Sequence, residues 1–187
     1  MSPFLACKVP VYNRGVAPTD FLDELVSWGK SAPNEIFQPR PTHEIYSYVV
    51  GELGPYPPGD LTYRKAVMLE VLRVLAGFES SWNWNEGVDT KNPDSNKPCT
   101  MEAGAFQVSG NSMNFDVSLR SLTIEVAGTD DCDRFREVTK SNHPFAIEYC
   151  ARLLRFTTQH HGPIKNGDVL KWITKAATKE FVAALNE

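Results

Sequence analysis

The chain has 187 residues, enough for one domain with a sizeable core, and 42% of them are hydrophobic. Its 19 Lys and Arg against 23 Asp and Glu give a formal charge of −4, which argues against general nucleic-acid binding, since that needs a basic face. No apolar run has the length of a membrane span. The mild negative charge also steers poorly toward an anionic polymer, so any glycan affinity must come from stacking and hydrogen bonds.

The opening Met1-Ser2-Pro3-Phe4-Leu5-Ala6-Cys7-Lys8 has the outline of a lipoprotein cleavage box. It lacks a basic region and an apolar stretch, so it reads as chance. The expectation is a chain that is cytoplasmic or exported without a cleaved signal. Residues 1–18, with three prolines and no periodicity, read as an extended arm. Thr19 and Asp20 are helix-start residues before Phe21, Leu22, Leu25, Val26 and Trp28, which share one face. Residues 31–41 read as a loop. A helix from about Thr42 to Leu53 carries Ile45, Tyr48, Val49 and Leu53 at helical spacing. The stretch Gly54-Pro55-Tyr56-Pro57-Pro58-Gly59 breaks it.

The central element is a helix from about Leu61 to Ser80. Ala66 to Leu69, Val71, Leu72, Val74, Leu75 and Phe78 leave it almost no polar face, which predicts burial. Glu70 and Arg73, three apart, can pair along its one polar edge. Residues 83–102 are polar and turn-rich, longer than an ordinary connection. Phe106 and Val108, then Val117 to Val126, read as short strands, with a helix over part of the second run as the alternative. A short helix follows over Asp130–Val138. Another begins at Asn142-His143-Pro144, with Phe145, Ile147, Tyr149, Leu153, Leu154 and Phe156 as core residues, and breaks at His160-His161-Gly162-Pro163. Asp168 is expected to cap a final helical region reaching about Asn186. The expected architecture is mainly α, a buried central helix surrounded by helices with a small β or irregular lobe. Residues 1–187 form a single domain, with 1–60 as arm and accessory helices and 61–187 as the core that bears the chemistry.

Cysteines stand at 7, 99, 132 and 150. Cys99 and Cys132 lie in loop-like stretches and could close a long loop, while Cys7 and Cys150 could tie the N-terminus to a helix. Four free buried thiols are the equal alternative. Disulfides would point to a periplasmic or extracellular workplace. No His/Cys spacing suggests zinc. Adjacent His160 and His161 rarely face one ion, so neither a metal nor another cofactor is expected. His43 and His143 read as surface or capping residues.

At 100° per residue, Met68, Leu72, Leu75 and Glu79 fall on one stripe. Burial there would raise the pKa of Glu79, and so would its place at the negative end of the helix dipole. A carboxyl that keeps its proton near neutral pH can serve as a general acid toward a glycosidic oxygen. The plain alternative is a glutamate solvated where the helix frays. Trp82 and Trp84 follow and can stack on sugars or simply anchor the loop. Asn83 and Asn85 offer hydroxyl partners. In Gly104-Ala105-Phe106-Gln107, small residues allow close approach to the backbone, and the amide can both donate and accept, as an N-acetyl group requires.

Glu79-Ser80-Ser81-Trp82 followed by Gly104-Ala105-Phe106-Gln107 resembles the goose-type lysozyme and lytic transglycosylase superfamily. There a Glu-Ser motif closes a buried helix, and a Gly-Leu-Met-Gln-like turn follows. Here 28 residues separate acid and glutamine, a somewhat long spacing consistent with an insertion in the 83–102 loop. Asn142-His143-Pro144-Phe145-Ala146-Ile147, leading to Ala151-Arg152-Leu153-Leu154, resembles a third motif of the family. Gln159-His160-His161-Gly162-Pro163 stands where its Tyr-Asn-Ala-Gly-Pro turn lies. The resemblance covers about residues 65–175. It implies a lysozyme-like fold and cleavage of peptidoglycan strands between N-acetylmuramic acid and N-acetylglucosamine, with Glu79 as the catalytic acid. It also implies substrate contacts from Ser80, Trp82, Gly104, Ala105, Phe106, Gln107, Ser109 and His160.

The departures concern the rest of the machinery. Gln159-His160 replaces the Tyr-Asn of the last turn. Ser109 stands where goose-type enzymes place an aspartate. The second acid is sought in the loop, with Asp89 ranked first and Asp94 second. Glu86 is a further loop candidate, and Glu102 is a rival that otherwise reads as a solvated loop acid. With a second carboxylate the expected reaction is hydrolysis; without one, an anhydro product forms as in lytic transglycosylases. The resemblance extends to type VI secretion muramidase effectors, implying an antibacterial toxin that acts in a target bacterium's periplasm and is plugged by a cognate immunity protein. The alternatives are a phage endolysin and a non-catalytic glycan-binding or interaction protein on the same fold.

Overall fold

The computed structural model describes residues 4–42, 44–55, 57 and 59–187. The expectations for Met1 to Pro3 and for His43, Tyr56 and Pro58 lie outside the described residues. The protein is mainly helical. In chain order, α1 spans Thr19–Ser31, α2 Ile45–Leu53, α3 Leu61–Ser80, α4 Val117–Ala127, α5 Cys132–Ser141, α6 His143–Phe156, α7 Gly162–Lys165 and α8 Lys175–Asn186. Two short antiparallel strands, β1 (Glu102–Ala103) and β2 (Val108–Ser109), pair Glu102 with Ser109 and Ala103 with Val108. Among the described residues, no helix is long and apolar enough to cross a membrane.

Helix α3 is the axis of the fold. Asp60 caps it by accepting the Tyr63 N–H at 2.9 Å. Its side chains from Ala66 to Ala76 are buried without interruption, against α8, α1, α6 and α2. Buried side chains from Phe4 to Ala184 join one cluster, so the arm and the first two helices share the core of the later ones.

The Glu70–Arg73 pair corrects an expectation. It lies on no polar edge, because both side chains are fully buried and bonded through two contacts of 2.7 and 2.8 Å. Glu70 also accepts the Thr174 N–H at 2.8 Å. That bond helps place the start of α8, where the Thr174 hydroxyl caps Ala177 N–H. Asp168 therefore does not cap the final helix; it pairs with Lys171 beside a 3-10 turn at Val169–Lys171. Arg73 continues outward to the carbonyls of Val9 at 3.5 Å and Trp172 at 3.4 Å, gathering the arm and the α7–α8 connection against α3.

Helix α2 begins three residues later than expected. Glu44 and Ser47 form a capping box there, and the Glu44 carboxylate is buried between Arg64 of α3 and Arg155 of α6. The Val117–Val126 run is helix α4, capped by Asp116 and ended by Gly128 with φ +77°. Its β-branched Val117 and Ile124 are exposed, so they add apolar, strand-like character to the sequence without filling a core. Cys99 and Cys132 form a disulfide, whereas Cys7 and Cys150 are buried and unpaired. His143, the first residue of α6, is half-buried, stacking on Trp84 at 4.1 Å and contacting Glu24.

Candidate active site

Glu79 stands in the last turn of α3, where the helix stops abruptly. Ser81 and Trp82 both take left-handed backbone conformations, at φ +54° and +63°. Their N–H groups bond back to Gly77 and Ala76 at 3.1 Å. Each such residue without a glycine costs about 1 kcal/mol or more. The turn folds the Trp82 ring under the helix, where its Nε1 donates to Arg73 O at 2.8 Å. The ring lies against Gly77, where an added Cβ would stand 2.7 Å from it. Trp82 is thus a buried anchor and not an exposed sugar platform.

Ser80 is also a fastening. Its Oγ lies 2.8 Å from Ala105 O, tying α3 to the turn between β1 and β2, and it accepts the Asn83 N–H at 3.1 Å. In that turn, Gly104 has φ +73° and packs on Thr139, whose carbonyl would lie 3.0 Å from any Cβ there. Gly104 N–H donates to Glu86 O at 3.0 Å, which draws the 83–102 loop in. Phe106 is fully buried against Phe21 and Trp84, and Ala105 is buried with it. Ser109 is buried with its hydroxyl on Asn111. Ser80, Trp82, Ala105, Phe106 and Ser109 therefore shape the site without lining its cleft. Gln107 does line it, held at φ +45° with its amide donating to Gly104 O at 3.0 Å.

The cleft has a volume of about 400 Å³ and is bounded by Glu79, Glu86, Asp89, Asn92, Glu102 and Gln107, among others. A larger hollow of about 570 Å³ between α4 and α6 includes Glu148 and Arg152, which pair with each other at 2.7 Å. The strongly shifted acid belongs to the smaller cleft. The Glu79 side chain is only 18% exposed. Burial pushes its pKa up to about 8, against a smaller lowering by the Arg14 cation. Burial also raises Glu102, helped by repulsion from Glu79 and opposed by the Ser95 hydroxyl. Glu102 is half-buried on β1, where the strand pairing fixes it, so it is no freely solvated loop acid. Asp89 edges the cleft from the exposed loop. Asp94 is exposed and does not line the cleft, and its N–H donates to the Asn92 side chain at 3.0 Å.

Sequence reasoning missed His161. It singled out His160, which is half-buried with its ring edge-on to Phe115. The neighbour that reaches the acid is His161, whose Nδ1 lies 3.3 Å from Glu79 Oε1 and whose Nε2 lies 3.8 Å from Cys150 Sγ. Burial lowers the pKa of His161 to about 4, so across neutral pH it is an uncharged neighbour that leaves the carboxyl its proton. Burial and His161 together lower His160 to about 3. The only sequence signal was the position of His161, just ahead of the helix-starting Gly162-Pro163. No group of three or more metal-binding side chains occurs among the described residues.

Chemically, the arrangement offers a protonated carboxyl at the wall of a polar cleft, three further carboxylates in Glu86, Asp89 and Glu102, and the Gln107 amide. Compared with known proteins, the chain matches no family model, no curated protein and no solved structure.

Proposed function

We propose that the protein cleaves peptidoglycan glycan strands between N-acetylmuramic acid and N-acetylglucosamine, on a lysozyme-like fold, with Glu79 as the general acid. The observation that carries this reading is the pKa of Glu79, raised to about 8 in a carboxyl that faces a cleft of sugar-accommodating size. Glu79 protonates the glycosidic oxygen as the bond breaks. Glu102 or Asp89 then takes the proton of an attacking water, giving hydrolysis. Gln107 offers its amide to an N-acetyl group. The Cys99–Cys132 disulfide supports an oxidising workplace, in keeping with action in the periplasm of a target bacterium as a delivered toxin. A cognate immunity protein for such a toxin would occlude this cleft.

Digestion of purified cell wall by wild type and Glu79→Gln tests the reading. Wild type is expected to release soluble muropeptides, and Glu79→Gln to be slower by about 100-fold or more. Undiminished lysis by the variant removes Glu79 from the role. Mass spectrometry reads the route, because products about 18 Da lighter, having lost one water, would exclude hydrolysis. Glu102→Gln and Asp89→Asn then identify the base by which one abolishes the hydrolysed product.

A further inference from the structure

The arm ahead of α1 is built toward the acid. A tight loop closes through Val11 N–H on Gly15 O and Arg14 N–H on Val11 O, both at 2.9 Å. It holds Tyr12 at φ +48°, a conformation that a tyrosine adopts only at a cost. The Tyr12 ring is stacked on Phe78 at 6.0 Å and meets Trp172 edge-on at 6.3 Å, yet the residue remains 59% exposed. Phe78 is the residue immediately before Glu79 on α3. Beneath these rings, buried Arg73 bonds to both Val9 O and Trp172 O. Further back, the Glu180 carboxylate accepts the N–H groups of Leu5, Ala6 and Cys7 at 2.6, 3.2 and 2.7 Å. The arm is therefore a fixed wall.

The same loop presents Arg14. Its side chain is exposed and makes no hydrogen bond or ion pair with any described residue, while its charge is felt at Glu79. Exposed aromatic faces suit the apolar faces of sugar rings, and an unpaired guanidinium suits a carboxylate. We infer that Tyr12, Phe78 and Trp172 form a saccharide subsite continuous with Glu79, in which Arg14 binds the carboxylate borne by the muramyl side arm. This rests on the peptidoglycan reading above and names the part of the substrate that the reading left open. The carboxylate has two sources. In intact wall it belongs to the stem peptide, and in strands stripped by an amidase it is the freed lactyl group.

The test is equilibrium binding in the Glu79→Gln background, which requires no cleavage, with intact sacculi and amidase-stripped glycan strands as probes. Tyr12→Ala is expected to weaken binding about tenfold, and Tyr12→Phe, which keeps the ring, to leave it unchanged. Arg14→Gln is expected to weaken binding about tenfold to whichever probe carries the recognised carboxylate, with Arg14→Lys recovering part of it. A loss confined to sacculi assigns the stem peptide, and a loss confined to stripped strands assigns the lactyl group. Unchanged binding by both Tyr12→Ala and Arg14→Gln overturns the subsite, whatever the lytic activity. Wild type that leaves sacculi undigested, while binding follows the expected pattern, overturns the muramidase reading and retains the subsite.

Discussion

Glu79 Oε1 and His161 Nδ1 lie 3.3 Å apart, and burial opposes charge on both. The carboxyl keeps its proton up to about pH 8, and the imidazole stays neutral down to about pH 4. Between those limits the pair is uncharged, which is the form a general acid needs. The rate of glycan cleavage is expected to fall on the alkaline side with an apparent pKa near 8, read from kcat/KM against pH. His161→Ala, which opens the site to water, is expected to move that limb to lower pH. A limb that stays in place would show that the histidine does not contribute to the burial of the acid.

The same values fix how stability depends on pH. The folded-state pKa of Glu79 is raised from 4.5 to about 8, so its contribution is complete below 4.5 and is lost as pH rises through about 8. His161 runs the other way. Its pKa is lowered from 6.5 to about 4, so its contribution is complete above 6.5 and is lost as pH falls toward about 4. Glu79→Gln is therefore expected to raise Tm relative to wild type most at pH 9, less at pH 6, and to change it little at pH 4.5. Full ionisation of the buried acid costs on the order of 5 kcal/mol as an upper figure. Thermal melts at the three pH values check this.

Ser80→Ala removes the link from α3 to the turn that carries Gln107. It leaves the Ala105 carbonyl without this partner, and a loss of about 1–3 kcal/mol in denaturant unfolding is expected. Ser80→Thr, which keeps the hydroxyl, should retain more of the stability. Activity should fall with Ser80→Ala even at temperatures where the protein remains folded, because that turn carries Gln107.

Gly104→Ala places a Cβ 3.0 Å from the Thr139 carbonyl and forces an L side chain to φ +73°. A loss of about 2 kcal/mol or more is expected, part from the backbone and part from the displaced α5. A parallel Gly128→Ala control, with φ +77° and nothing within 4 Å, isolates the backbone part. Equal losses at the two positions would show that the Thr139 contact is yielding.

Reduction of Cys99–Cys132, or Cys99→Ser with Cys132→Ser, frees a segment spanning 33 residues of sequence separation. Loop-closure entropy gives a loss of about 3–4 kcal/mol. The segment carries Glu102 and Gln107, so lysis should also become sensitive to dithiothreitol. The melting temperature with and without reductant checks the first effect, and turnover at fixed temperature checks the second.

Much of the helical frame was legible because α3 is apolar on every side and few local alternatives compete with it. The expected ends, Leu61 and Ser80, coincide with the observed ones, and the stripe Met68, Leu72, Leu75, Glu79 brings the acid to the cleft wall. What the sequence hid were pairings over long distances. Glu70 and Arg73 look like a surface pair three residues apart, and nothing local reveals that Thr174, Val9 and Trp172 meet them in the interior. Trp82 looks like a sugar platform until its backbone turns left-handed and folds the ring under Gly77. His161 reaches Glu79 across 82 residues of chain, and Tyr12 reaches Phe78 across 66. The spacing of residues within one segment carries no record of such meetings.

Leu5 and Glu180 are bonded although 175 residues separate them. During synthesis, the segment bearing Tyr12 and Arg14 is made well before the carboxylate that fastens its base. The base of the arm therefore stays unfastened until α8 has been made. The wall beside Glu79 is completed only at that late point of folding.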